Sequence, residues 1–364
     1  MMRGQFLLRA FLIFFLSFYI VMASNTMRAV LYEPGGPEKM TIGVVPRPKT
    51  GPKMLVIRVF YTALNRADTL QRKGSYPPPP GESEILGLEV AGLVEEIGSS
   101  CSLGWKKGDK VMALVPGGGY AEYVLVHETH VMPIPTSYSL SEASAIPEVW
   151  LTAYQLLHFI GKIKPGENVL IHAGGSGVGT SLVQLTKLAG ANAYVTAGSE
   201  EKIKTAISLG AKAGFNYKTG IDFSQWILEQ TEGRGVDIIT DCVGGSYWEK
   251  NAKSLAKDGR WLLYGLLGGG NVNGSILAQL MRKRATLTGT TLRSRSTEYK
   301  TDLIKGFAED VLPYFGNGKL KPIIDTVYPM EKISEAHSRM ESNVNTGKIL
   351  IQVQKDAEQD KTEL

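Results

Sequence analysis

Cysteine is nearly missing: the 364 residues hold only Cys101 and Cys242. That excludes a disulfide framework and a cysteine-rich zinc site. Histidine is scarce too, with five residues (His127, His130, His158, His172 and His337) spread along the chain. His127 and His130 stand three apart, which in a β context reads as a surface pair rather than a ligand pair. No metal site is expected. Neither sign of charge dominates: 40 Lys and Arg face 35 Asp and Glu, a net charge of +5. Basic residues are scattered apart from Arg282-Lys283-Arg284, so a nucleic-acid surface is not expected. Long apolar runs are confined to the N-terminus, which rules out a multi-span membrane protein. No internal repeat is present. Apolar residues at 43% and charged residues at 21% exclude wholesale disorder. Glycine is plentiful, with 41 residues, and points to tight turns or close backbone approach to a ligand.

The two ends read differently from the core. Residues 1–26 place Arg3 and Arg9 before the uncharged stretch Ala10 to Met22, followed by small residues at Val21-Met22-Ala23. This is the order of a secretory signal or anchor. Met22 or Met27 is an equally good start for a cytoplasmic protein, and membrane contact is expected only if residues 1–26 are retained. The tail, 354–364, is polar and reads as disordered. It ends Lys361-Thr362-Glu363-Leu364, one residue from an endoplasmic-reticulum retention signal. A signal plus that tail would place the chain in the endoplasmic reticulum, where the sequon at Asn273 would matter.

Between the ends the rhythm changes once. Residues 27–150 read as short strands with dense turn signals, among them Pro34-Gly35-Gly36-Pro37 and Gly117-Gly118-Gly119. Residues 151–300 alternate strands and helices. Asn168 to His172, Asn192 to Ala197, Val236 to Val243 and Gly259 to Leu266 read as strands, and Glu200 to Leu209 as a helix ended by Gly210. That alternation predicts a doubly wound parallel sheet. Residues 301–353 mix a helix with strands and are expected to return to the first unit. The fold class is α/β, with a β-rich domain beside a dinucleotide-binding domain. Met112, Trp105 and Trp150 read as core.

The strongest chemical signal is Gly174-Gly175-Ser176-Gly177-Val178-Gly179. It sits between a buried strand and a helical pattern through Val178, Leu182, Leu185 and Leu188. Glycines there let backbone N–H groups approach a pyrophosphate, and the helix start favours its charge. A site for NAD usually ends its second strand with Asp or Glu, which holds the ribose 2′-OH. Here the strand ends Ala197-Gly198-Ser199. Ser199 and Lys202 favour a 2′-phosphate, hence NADPH, and Tyr217 lies within reach of it. Ser199 reads equally as a helix N-cap. Glu200 and Glu201 oppose this reading unless they face away.

With these motifs in place, the chain resembles the zinc-free quinone reductases of the medium-chain dehydrogenase/reductase superfamily. The resemblance runs through most of Met27 to Gln352. It includes Asn65-Arg66-Ala67-Asp68, Gly74-Ser75-Tyr76, Gly87-Leu88-Glu89-Val90-Ala91-Gly92 and Ala145-Ile146-Pro147-Glu148. The stretch Asp241-Cys242-Val243-Gly244-Gly245 through Asn251 is similar to the p53-inducible quinone oxidoreductase branch. The resemblance implies a GroES-like catalytic domain and a Rossmann domain. It also implies a homodimer paired through sheet edges. Where zinc relatives carry Gly-His-Glu, this chain has Gly87-Leu88-Glu89, and leucine cannot ligate zinc.

By resemblance, Asn65 and Tyr76 lie beside the nicotinamide and the acceptor. Asn65 would orient an amide or oxygen, and Tyr76 would donate to a developing oxyanion. The other readings are an Asx turn for Asn65 and a rim aromatic for Tyr76. Thr152, Gly174, Gly175, Ser176, Gly177 and Val178 would line the cofactor. Ser199, Lys202 and Tyr217 would take the 2′-phosphate. Cys242 and Val243 would sit beside the adenosine, and Tyr264, Gly265 and Leu266 near the nicotinamide. Leu292 and Arg293 follow in a loop, with Arg293 either on a phosphate or a surface charge. The leading expectation is an NADPH-dependent quinone reductase. Few ionisable groups are expected around Asn65 and Tyr76, as suits a flat apolar acceptor. An enone, enal or enoyl-thioester reductase is the alternative, with Arg66, Arg72 and Lys73 as a basic landing surface. An NADPH-binding structural protein is the third reading.

Overall fold

A computed structural model describes residues 25–355. The expectations for residues 1–24 and 356–364, including the signal and the retention tail, lie outside the described residues. Among the described residues no helix is long and apolar enough to cross a membrane.

Six parallel strands form the dinucleotide-binding sheet. Their spatial order is Ala213–Asn216, Asn192–Ala197, Asn168–His172, Val236–Asp241, Leu255–Leu263 and Thr286–Gly289. Numbered along the chain this is 3-2-1-4-5-6, the doubly wound order whose switch point lies between the first and fourth strands. The three central strands, Asn168–His172, Asn192–Ala197 and Val236–Asp241, are buried on both faces, as a sheet covered by helices on each side requires. Helix Gly177–Leu188 buries Leu182, Val183 and Leu185. Helix Glu200–Leu209 starts on Ser199, whose Oγ accepts from Lys202 N at 3.4 Å. It ends at Gly210 with φ of 118°, a left-handed cap that glycine adopts without a Cβ clash.

The fifth strand begins four residues earlier than the apolar pattern suggests and stops at Leu263. Asp258 adopts a φ of 61° inside it, and its pairing register with Val236–Asp241 is irregular there. The local polarity of Lys257-Asp258-Gly259 therefore conceals a strand that tertiary pairing imposes. Leu266 and Leu267 fall beyond it and are exposed.

The other sheet has seven strands and carries the GroES-like architecture. Its spine is Met54–Ala63, which pairs antiparallel with Glu89–Ile97, with Tyr123–His127 and with Lys348–Gln352. The last of these comes from the far end of the chain, so the final segment completes the first unit's sheet. A separate hairpin pairs Thr26–Tyr32 with Met40–Pro46. One apolar cluster runs through both units, joining Phe60 and Met112 to Trp150, Ile171, Leu182 and Phe315. Helix Pro147–Tyr154 sits at this junction. Trp150 and Met112 are core residues, while Trp105 is partly buried against the second cluster.

Candidate active site

The cleft between the two units has a volume of about 530 Å³. It opens where the parallel strands end. Ala173 follows the first strand, Gly198 the second, and Cys242 and Val243 the fourth, and all line it. This is the crevice at the switch point where doubly wound folds bind ligands.

The glycine loop is built in two layers. Gly174 and Gly179 pack inward. A Cβ on Gly179 would stand 2.2 Å from the Ala173 carbonyl, and one on Gly174 would stand 2.5 Å from Val195 Cβ. These glycines bring helix Gly177–Leu188 tight against its strand. Gly175, Ser176, Gly177 and Val178 face the cleft. Ser176 caps the helix, its Oγ accepting from Gly179 N at 3.0 Å. Ala173 holds a φ of 55°, which costs a non-glycine residue energy and is a mark of functional turns. The loop is tied to the chain's final segment by Gly347 N donating to the Gly175 carbonyl at 2.8 Å.

The floor is held by a buried polar network. Asp241 accepts from Val243 N, Gly244 N, Asn251 Nδ2 and Trp261 Nε1, at 2.7 to 3.0 Å. Asn251 Oδ1 lies 2.7 Å from His172 Nε2, and His172 Nδ1 lies 2.9 Å from Thr196 Oγ1. Asp241 and Asn251, which carry the branch resemblance, thus shape the turn that presents Cys242. Burial pushes the Cys242 thiol up to about 12, with Asp241 adding to the effect, so it remains a protonated packing residue.

The end of the cleft beside the second strand is cationic. Gly198 leaves room for Tyr217: a Cβ there would stand 2.6 Å from its hydroxyl. Lys202 crosses to the final segment and donates to the Asn343 carbonyl at 2.6 Å. Burial lowers its pKa from the ordinary lysine value, and Lys218 adds to this. Glu200 is turned to the Asn216 side chain, and neither Glu200 nor Glu201 lines the cleft. The lining holds Arg66, Lys202 and Lys348 and no carboxylate.

Among the sequence-predicted residues, the cleft gathers Asn65, Gly175, Ser176, Gly177, Val178, Lys202, Tyr217, Cys242, Val243 and Tyr264. Thr152, Gly174, Ser199, Gly265 and Leu266 are not among its lining residues. Leu267 and Gly268 take the place beside Tyr264. Tyr76, Leu292 and Arg293 are absent from its lining; Leu292 belongs to the apolar core, and the Arg293 guanidinium carbon stands 5.5 Å from the Tyr76 ring centre. Burial raises the Tyr76 phenol above its ordinary value, and Glu148 adds to this.

The expectation of few ionisable groups near Asn65 and Tyr76 is overturned. Lys348 Nζ lies 2.7 Å from Glu89 Oε1, both side chains being buried, and donates to Asn65 Oδ1 at 2.8 Å and to the Leu64 carbonyl at 2.7 Å. Asn65 Nδ2 donates to Glu89 Oε1 at 2.8 Å and to the Ala63 carbonyl at 3.2 Å. Both N–H bonds of Asn65 are therefore spent, and only its oxygen retains capacity for a ligand. Asp68 accepts from Asn65 N and Gly87 N, and burial raises it to about 6. Burial, with Glu89 adding, raises Glu148 to about 8.

The expected basic landing surface loses Arg72, while Lys73 stays half-exposed and Arg66 lines the cleft. Arg72 is fully buried, pairs with Glu341 at 2.6 Å and lies against His337. Lys73 shares Glu341 at 2.7 Å, and Arg66 donates to the Met340 carbonyl and Asn343 Oδ1. The surface reading of His130 also fails: it is buried against the Thr297 carbonyl, and burial lowers it to about 4. Among the described residues no group of three or more His, Cys, Asp and Glu is placed to hold a metal ion.

Two family models match the chain: an alcohol dehydrogenase GroES-like domain over residues 51–136 and a zinc-binding dehydrogenase domain over residues 177–309. The human quinone oxidoreductase is 31% identical over 331 residues, covering 89% of this chain and 97% of the human protein. The chain belongs to the quinone oxidoreductases of the medium-chain dehydrogenase/reductase superfamily. It is an α/β oxidoreductase with a GroES-like domain and a Rossmann domain. Escherichia coli quinone oxidoreductase complexed with NADPH superposes with a TM-score of 0.81 at 27% identity, over 90% of this chain and all of that one. The CurK enoyl reductase superposes at 0.79 with 28% identity, over 90% of this chain and 99% of that one.

Proposed function

We propose that this chain is an NADPH-dependent reductase of small quinones. The observation that carries the cofactor choice is the cationic cleft: Arg66 and Lys202 line it with no carboxylate among the lining residues, while Lys348 is paired with Glu89. A carboxylate at the end of the second strand is what an NAD ribose uses. Gly198, Lys202 and Tyr217 stand there instead, and fit a 2′-phosphate. Gly175 to Val178 would receive the pyrophosphate on backbone N–H groups and the start of the helix. Bound there, the cofactor would supply a hydride. Asn65 would accept a hydrogen bond through its oxygen, held in orientation by Lys348 and Glu89. Tyr76 would close the acceptor side.

A second reading, reduction of an enone, enal or enoyl thioester, is favoured by one observation, the fold match to the CurK enoyl reductase. The burial of Arg72 counts against a carrier-borne thioester. The quinone reading is further supported by the similarity to quinone oxidoreductases along almost their whole length.

The working unit in this reading is a homodimer. Strand Thr286–Gly289 ends the parallel sheet with one side unpaired. Beside it, helix Ile276–Lys283 buries no residue and leaves Leu277 75% and Met281 80% exposed. A second copy laid edge to edge would cover both.

The test is a titration of NADPH and NADH against the wild type and Lys202→Ala. One charge-assisted contact is worth ~1.5–3 kcal/mol. Lys202→Ala is expected to weaken NADPH about 10- to 100-fold and leave NADH unchanged. Equal loss for both cofactors would remove Lys202 from the 2′-phosphate. Turnover of an ortho-quinone and a para-quinone, against an enal, separates the two substrate readings.

A further inference from the structure

Arg293 is 5% exposed, yet most of its guanidinium has nothing to bond. Its Nε donates to the Pro116 carbonyl at 2.6 Å. Its Nη1 and Nη2 are buried without any hydrogen-bond partner. Burying a guanidinium is costly unless oxygen atoms complete its fork of donors. Two carboxyl groups, Asp68 and Glu148, act on it electrostatically, but neither is hydrogen-bonded to it. Glu148, raised to about 8, carries a proton at neutral pH. Lys300, itself buried, adds positive charge on the same side. Gly117 packs beside it: a Cβ there would clash with the Ser83 carbonyl at 2.5 Å and touch Nη2 at 3.5 Å. The Tyr76 ring closes another edge, 5.5 Å from the guanidinium carbon. Arg293 is absent from the lining that holds Gly175 to Val178 and stands beside Tyr76 instead.

We propose that Arg293 binds the conjugated carbonyl oxygen of the acceptor, using Nη1 and Nη2 as paired donors. The inference rests on the reductase reading and names the group that fixes its acceptor. In the reaction, the acceptor would take a hydride supplied by the bound reduced nicotinamide, whose C–H pair would become the new bond to the acceptor. The acceptor's displaced π pair settles on its oxygen, which then takes a proton from water. Negative charge thus develops on the atom that Arg293 faces, in a site dry enough to make the attraction strong. The acceptor class is a planar conjugated carbonyl, quinone or enone, rather than a saturated ketone.

The experiment uses the full chain without cofactor and 4-nitrophenol as the probe. Its phenolate copies the charged oxygen, and its absorbance reports ionisation. The ratio of phenolate to phenol affinity is measured from pH titrations of wild type, Arg293→Met and Arg293→Lys. The wild type is expected to prefer phenolate. Arg293→Met is expected to lower that preference about 10- to 100-fold with phenol affinity unchanged, the range for hydrogen bonds to a charged group. Arg293→Lys keeps the charge but loses the fork, and is expected to fall between. If Arg293→Met fails to fold, the drop in Arg293→Lys carries the test. No phenolate preference in the wild type, or the same preference in the variants, overturns the proposal. So does a loss of NADPH affinity with phenolate preference intact, which would assign Arg293 to the cofactor. A wild type that binds no NADPH would overturn the reductase reading while leaving an Arg293-dependent phenolate preference standing.

Discussion

Replacing Lys348 with methionine removes the one cation at the centre of a buried cluster. Lys348 Nζ makes three contacts, at 2.7 Å to Glu89, 2.7 Å to the Leu64 carbonyl and 2.8 Å to Asn65. Methionine fills much of the same volume, so the loss is mainly electrostatic. Glu89 has a side-chain exposure of 0% and cannot turn to water. Breaking a buried pair by removing one partner costs ~3–5 kcal/mol. Here Asn65 Nδ2 and Glu148 N still donate to Glu89, at 2.8 and 2.9 Å, which places the expected loss near the low end, about 3 kcal/mol. Adding Glu89→Gln removes the orphaned charge. The double variant is expected to recover about 2 kcal/mol of that loss, a coupling typical of direct partners. The assay is urea unfolding of wild type, both single variants and the double variant. A Lys348→Met variant within about 0.5 kcal/mol of wild type, or additive losses in the double variant, would mean that Lys348 does not neutralise Glu89.

Other outcomes follow from the same geometry. Glu148→Gln should change the pH dependence of stability. The folded Glu148 holds its proton up to about pH 8, above the ordinary glutamate value, so the wild type loses stability as pH rises toward and through 8. Glutamine has no proton to lose, and the variant should gain about 4 kcal/mol on wild type between pH 5 and 8, at ~1.4 kcal/mol per pH unit, read by thermal melts at each pH. Gly179→Ala pushes a methyl to 2.2 Å from the Ala173 carbonyl and should cost ~1–3 kcal/mol and weaken cofactor binding, read by melting and titration. Leu277→Asp with Met281→Asp should convert a dimer to a monomer in light scattering without lowering stability, because neither side chain is buried within the chain.

The nucleotide-binding half was legible because its signals are local. A buried strand, a glycine loop and an amphipathic helix lie within Asn168 to Leu188, and each constrains the next. The cap at Ser199 and the stop at Gly210 are single-residue devices with fixed chemistry, and both stand where the sequence places them. The charged cluster was not legible. Asn65 and Lys348 are 283 positions apart and meet only because the final strand pairs with Met54–Ala63. A buried lysine looks like a solvated one in sequence. The same blindness affects Arg72, which reads as a surface charge one turn from Asp68 but is enclosed by Glu341 and His337. Arg293 was ambiguous for the opposite reason, since nothing local marks a guanidinium left without partners. The motif from Asp241 to Asn251 was visible as a pattern, but its physical meaning, a carboxylate pinning the cleft floor, required the fold.

The proposed function depends on a cleft that prefers NADPH over NADH. Calorimetric titration of the full chain with each cofactor measures that preference. The cationic cleft predicts NADPH tighter by at least about tenfold, one charge-assisted contact's worth, with the difference shrinking as salt rises. Equal affinity for the two, or tighter binding of NADH, would contradict it.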